Sequence, residues 1–218
     1  MAESIVFCID VDREMDCELS GAVTMGPGSR IALTKRLLKT FIDAKQRIGP
    51  NLDHQFALVL LKDRAEWVMD FSSDGALLGA VIDELGTTGN YRQFDTSSLF
   101  SVISSNVRRL AVANTPRVIC VYGRSDVVPA SAPQHVRAHA TSPQFTFDLV
   151  YLHHRRTAQW NPQIIYDFWT ALESAQAPGY FFEVTKSSRR LAQAMIKLLA
   201  NPQMRPRQLD CDYTIQTA

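Results

Sequence analysis

Apolar positions along the chain alternate between two kinds of segment. Short, nearly unbroken apolar runs occupy 4–10, 54–61, 117–122, 145–152 and 179–184. Such runs read as strands buried on both faces, the habit of a parallel sheet covered by helices. Between them lie stretches whose apolar residues recur at helical spacing. Leu33, Leu37, Leu38, Phe41 and Ile42 form one face, and Leu77, Leu78, Val81, Ile82 and Leu85 a second. Leu99, Ile103, Val107 and Leu110 form a third, Ile165, Phe168, Trp169 and Leu172 a fourth, and Leu191, Met195, Leu198 and Leu199 a fifth. Each predicts an amphipathic helix packed on the sheet.

Local signals set the ends of these elements. Lys62-Asp63-Arg64 separates 54–61 from a further strand at 65–69, too short for a parallel crossover, so the two predict an antiparallel hairpin. Ser72 or Ser73 is placed to cap the helix that follows, Asn161-Pro162 to open the fourth, and Ser187 or Ser188 to cap the fifth. The predicted fold is α/β: a doubly wound, mostly parallel sheet with one antiparallel edge strand and helices on both faces. The predicted organisation is one domain over 1–200 and an extended tail over 201–218, because Asn201-Pro202 and Arg205-Pro206 interrupt any helix.

Charge and cysteine usage narrow the function classes. The 23 basic and 22 acidic residues leave a net charge of +1, without the basic excess of a dedicated nucleic-acid binder. No apolar run is long enough to span a bilayer, and the first residues lack the pattern of a secretory signal, so the expected compartments are cytoplasm and nucleus. Cys8, Cys17, Cys120 and Cys211 form no Cys-x-x-Cys pair and are expected to be free thiols.

Three kinds of catalytic motif fail on the residues. Gly21 and Gly26 have the spacing of a phosphate-binding loop, but Pro27 stands where the lysine belongs; Gly26 and Gly28 read as turn and helix-start residues. No dinucleotide glycine motif follows a predicted strand, and no Gly-x-Ser-x-Gly elbow occurs. His135 and His139 have the i, i+4 spacing of a metal pair without the glutamate of a zinc hydrolase. His153-His154-Arg155-Arg156 reads as an exposed basic strand end. The carboxylates closing the first strand carry more information. Asp10, Asp12 and Glu14 alternate, and an extended chain would put three oxygen ligands for magnesium on one side.

Those positions carry a resemblance to von Willebrand A domains that covers nearly the whole chain. The family holds magnesium with an Asp-x-Ser-x-Ser run, a threonine from a later loop and an aspartate in a Thr-Asp-Gly motif. Here the run is Asp10-Val11-Asp12-Arg13-Glu14, the threonine position falls near Gln93, and the last motif becomes Tyr122-Gly123-Arg124. Only Asp10 is kept, with Asp126 downstream as a possible substitute. The resemblance therefore implies a vestigial site at Asp10, Asp12, Glu14 and Gln93, with no metal and no cofactor. Within that superfamily the chain is similar to the scaffold subunits of the BRISC and breast-cancer-susceptibility A deubiquitinase complexes. Ile9 to Met15, Gln55 to Val59, Ala65-Glu66-Trp67, Leu99 to Ile103, Phe147 to His153 and Lys197 to Pro202 carry that likeness.

This closer likeness implies a non-catalytic subunit in a complex that cuts lysine-sixty-three-linked ubiquitin chains, active in DNA damage response and cytoplasmic signalling. Its implied partners are protein subunits, chiefly the one built from ubiquitin-conjugating-enzyme-like domains, with no nucleic acid and no membrane. The tail is the expected docking element, through Pro202, Arg205, Pro206, Leu209, Tyr213 and Ile215; the alternative is that Tyr213 and Ile215 fold back on the domain. Two other functions stay open: a metal-dependent von Willebrand A ligand binder, and an α/β enzyme with a deep pocket at the strand ends.

Overall fold

The structure is a computed structural model, and it describes residues 1–20, 28–107, 116–130, 145–158 and 160–211. Strand β1 (Ser4–Asp10) lies at the centre of a six-stranded sheet. β4 (Gln55–Leu61) flanks it on one side, followed by β5 (Ala65–Ser72) at the edge. On the other side come β6 (Arg117–Tyr122), β7 (Thr146–Leu152) and β8 (Phe181–Val184). Every pairing is parallel except the β4–β5 hairpin, which contains register irregularities. A two-residue ribbon of β2 (Glu18–Leu19) and β3 (Gly28–Ser29) sits apart from the sheet.

Alternation along β1 builds two cores. Ile5, Phe7 and Ile9 face α1 (Arg30–Ile48), α2 (Gly75–Asp83) and α5 (Ser188–Lys197). Val6 and Cys8 face α3 (Thr96–Val107) and α4 (Pro162–Thr170), where Trp169 stacks on Phe147 at 5.6 Å. With both faces covered, every residue of β1, β6 and β7 is buried, and the apolar runs follow from that burial. All four cysteines are free; Cys8 and Cys120 are buried, and Cys17 and Cys211 half-buried.

Several local expectations are corrected. Asp74, not Ser72 or Ser73, caps α2, accepting from the amides of Ala76 and Leu77, because β5 runs on through Ser72. Leu77 is 50% exposed and does not join the core face of α2. Ser187 caps α5 through the Arg190 amide, while Ser188 is buried. Leu110 and the His135–His139 pair lie outside the described residues.

The chain passes from β1 to one side of the sheet and later returns to the other, so the sheet's switch point lies at the carboxyl end of β1. Open α/β sheets place ligand sites in that crevice. Asp10 is the last residue of β1.

The arginine-filled site at the sheet's switch point

The three carboxylates after β1 do not converge. The chain turns at once into a 3-10 segment, Arg13–Asp16, and each carboxylate finds its own partner. Asp12 caps that segment, accepting from the Glu14 amide at 2.7 Å and the Tyr91 amide at 2.6 Å. Glu14 reaches away to Arg30, whose Nη1 donates at 2.8 Å, and to the Ser125 amide at 2.8 Å. Asp10 stays behind, wholly buried.

Arg124 fills the space above Asp10. Its Nε lies 3.1 Å from both Asp10 oxygens, and its Nη2 donates to Oδ1 at 2.9 Å. The same guanidinium donates to the carbonyls of Leu61 at 2.9 Å, Lys62 at 2.8 Å and Gln93 at 2.8 Å. Tyr91, Phe94 and Tyr122 surround it, with ring centroids 5.2 to 5.6 Å from Cζ. Its side chain is 1% exposed. Asp10 is completed by the amides of Gly123 at 2.9 Å and Asp12 at 3.1 Å. A Cβ at Gly123 would collide with the Met15 side chain, which would have to shift to admit any larger residue.

Burial raises the Asp10 carboxyl above its ordinary range, and Arg124 with the Gly123 and Asp12 amides offsets this only in part. Burial also opposes the charge of Arg124, but Asp10 together with Tyr122 and Asp12 more than offsets this and holds the guanidinium above its ordinary value. A buried carboxylate carries a heavy desolvation cost unless paired and hydrogen-bonded, and here it is both.

This arrangement does not fit a divalent cation. The oxygens facing Asp10 are carbonyls, and a monovalent organic cation already bonds to them and to Asp10. Gln93 contributes its carbonyl, while the residue itself is exposed. Asp126 is exposed and lines the wall of a neighbouring cleft. Among the described residues no group of three or more histidine, cysteine, aspartate or glutamate side chains is arranged to hold a metal. The sequence reading missed the part played by Arg124. Its signal was available: a lone aspartate ending a buried central strand needs a countercharge, and Arg124 follows the neighbouring strand by two residues.

Beside the site lies an open cleft of about 390 Å³, lined by Asp12, Glu14, Asp126, His154 and Trp160 among others. Cys17 Sγ stands 3.5 Å from His154 Nε2 there. Burial pushes the Cys17 thiol up and the His154 imidazole down, both away from a thiolate–imidazolium pair. His154 Nε2 also faces Glu14 at 3.5 Å, so the carboxylate and the thiol share one ring nitrogen. A nucleophilic triad instead places nucleophile and orienting acid on opposite ring nitrogens of the base.

The first part of the tail lies against the domain. The Arg205 side chain is 3% exposed, paired with Asp148 and stacked 3.8 Å over Tyr180, because the carboxylate in mid-strand β7 draws it inward. Tyr180 Oη donates to the Pro206 carbonyl at 2.8 Å. Residues 201–211 thus contact the domain through Arg205, the Pro206 carbonyl and Gln208. Pro202 is half-buried, Leu209 is 93% exposed, and Tyr213 and Ile215 lie outside the described residues.

Asp148 belongs to a second buried charge cluster at the amino end of the sheet. Arg117 Nε donates to it at 2.7 Å, and Arg117 Nη1 reaches Glu3 at 3.3 Å, which also pairs with Lys45. Burial lowers the Lys45 ammonium below its ordinary value, against the bond to Glu3.

The geometry defines a class: a von Willebrand A fold in which an arginine sits at the switch-point carboxylate. The solved SpRpn10 VWA domain matches it with a TM-score of 0.64, at 12% identity, over 90% of this chain and 95% of that one. In sequence the chain is similar to the proteins named BRISC and BRCA1-A complex member 1. The Xenopus tropicalis protein is 25% identical over 98% of this chain and 70% of its own length. The human protein is 26% identical over 98% of this chain and 68% of its own length. No family model matches the chain.

Proposed function

We propose that this chain is a non-catalytic scaffold subunit of a deubiquitinase complex, in keeping with its likeness to proteins named as BRISC and BRCA1-A complex members. The carrying observation is likeness to those proteins over 98% of the chain. The switch point supports the same reading. Its fully buried carboxylate, Asp10, is engaged by Arg124, and the nearby Cys17–His154 contact has its carboxylate, Glu14, on the same ring nitrogen as the thiol. The proposed partners are protein subunits, chiefly one with ubiquitin-conjugating-enzyme-like domains, and the proposed compartments are cytoplasm and nucleus. Among the described residues no helix is long and apolar enough to cross a membrane.

The docking role of the tail, as proposed, falls to its outward residues. Leu209 is almost wholly exposed, and Tyr213 and Ile215 follow it in sequence. The Arg205 side chain faces inward, while Pro206 is exposed and engages the domain only through its carbonyl. Affinity capture of the tagged full chain, read by mass spectrometry, tests the proposal. A subunit with ubiquitin-conjugating-enzyme-like domains should be recovered together with a metalloprotease that cleaves lysine-sixty-three-linked chains. Recovery of neither, or chain cleavage or nucleotide hydrolysis by the purified chain alone, would contradict it.

A further inference from the structure

Residues 201–211 lie along the outer edge of β8, held there mainly by side chains. Their backbone bonds, Met204 N–H to Asn201 O, Asp210 N–H to Arg207 O and Cys211 N–H to Gln208 O, are local turns. Tyr180 Oη donates to the Pro206 carbonyl at 2.8 Å and Cys211 packs against the core, while two side chains of the segment make the selective attachments. Arg205 lays its guanidinium on the Tyr180 ring, pairs with the buried Asp148 and donates to the Pro178 carbonyl at 3.4 Å. Gln208 uses both ends of its amide on Phe181: Oε1 accepts the backbone N–H at 2.6 Å, and Nε2 donates to the carbonyl at 2.9 Å. Phe181 opens β8, the last strand of the sheet. A carboxamide presents one donor and one acceptor as a peptide group does, so Gln208 occupies the edge as a neighbouring strand would.

The surface also tolerates release of its occupant. Asp148 keeps Arg117 at 2.7 Å and the Tyr180 amide at 2.7 Å when Arg205 leaves, so no buried carboxylate is stranded. The segment begins after α5 ends, at Asn201-Pro202, so it can swing out without unwinding that helix. Met204, 77% exposed, and Leu209 point away from the domain and do not hold the segment down.

We infer that Asp148, Tyr180 and Phe181 form a peptide-reading socket for an Arg-x-x-Gln segment, filled in cis by Arg205 and Gln208 and exchangeable with the same sequence in trans. Both positions are chemically selective. The socket reads a planar cation that stacks on a phenol and offers two N–H groups to one carboxylate, which lysine does not supply. Three residues on it reads a carboxamide, because a carboxylate has no N–H for the Phe181 carbonyl.

The test uses the full chain with Arg205→Ala and Gln208→Ala together, and a fluorescent peptide of residues 201–211. Anisotropy should show saturable binding to the double variant and binding about tenfold weaker or worse to the wild-type chain, whose socket is filled. Peptides carrying Arg205→Lys or Gln208→Glu should each lose about tenfold. Equal binding by both chains, indifference to either peptide change, or no binding at millimolar peptide would overturn the inference. Hydrogen exchange on the wild-type chain tests it without any variant. The Phe181 amide should exchange through a local opening, faster than the Leu149 amide of adjacent β7. Equal protection of the two would mean that the segment leaves only on global unfolding, and the socket would not be exchangeable.

Discussion

The two ends of the sheet solve one problem with one chemical device and reach different outcomes. At the carboxyl end Asp10 is buried and closed by Arg124; at the amino end Asp148 is buried and closed by Arg117 and Arg205. Arg124 rides on the loop directly after β6 and also bonds carbonyls that follow or end β4 and precede α3. It cannot leave without breaking all of these together. Arg205 rides on a terminal segment whose own backbone bonds are local. An arginine against a buried aspartate is thus a permanent plug or a detachable strap according to the chain that carries it.

The comparison is broken most severely by Arg124→Ala. Asp10 would be left buried without its countercharge, at a cost of about 3–5 kcal/mol, read as a fall in the denaturant midpoint. Adding Asp10→Asn should recover part of that loss, because the neutral amide is cheaper to bury. A single variant as stable as wild type would show that Asp10 is neutral in the folded chain. Arg205→Ala should cost less, about 1–2 kcal/mol, because Arg117 still pairs with Asp148. Equal losses from the two substitutions would erase the proposed difference between plug and strap.

The smallest expected effect is a pH dependence at the amino end. His54 Nδ1 accepts the Glu3 amide at 3.2 Å, which requires the neutral ring, and burial with Lys45 nearby holds its pKa below the ordinary value. The unfolded chain therefore binds this proton more readily than the folded one. The contribution is fully present above the ordinary histidine pKa of about 6.5 and is lost as pH falls below it. His54→Gln should flatten the decline of melting temperature on that acid side; an unchanged slope would remove His54 from the account.

The fold was legible in the sequence because burial on both faces writes itself as unbroken apolar runs, and the Lys62-Asp63-Arg64 turn allows only a hairpin. The site was legible in part. Asp10 stood out as the carboxylate ending the first strand, but the fates of Asp12 and Glu14 depended on a 3-10 turn that alternation along the chain does not reveal. Arg124, Arg117 and Asp148 were passed over because each pairs across strands far apart in sequence. A charged residue inside an apolar run, such as Asp148 between Phe147 and Leu149, was the available sign of a buried partner. The contacts of the tail were hidden for a related reason: its prolines do interrupt the helix, but Arg205 answers to Asp148, 57 residues earlier.

Calorimetric titration of the wild-type chain with magnesium and manganese tests most directly whether an arginine holds the cation's place at the switch point. The account predicts binding no tighter than millimolar and a melting temperature unmoved by either ion or by chelator. Micromolar affinity for either ion, abolished by Asp10→Ala, would contradict it.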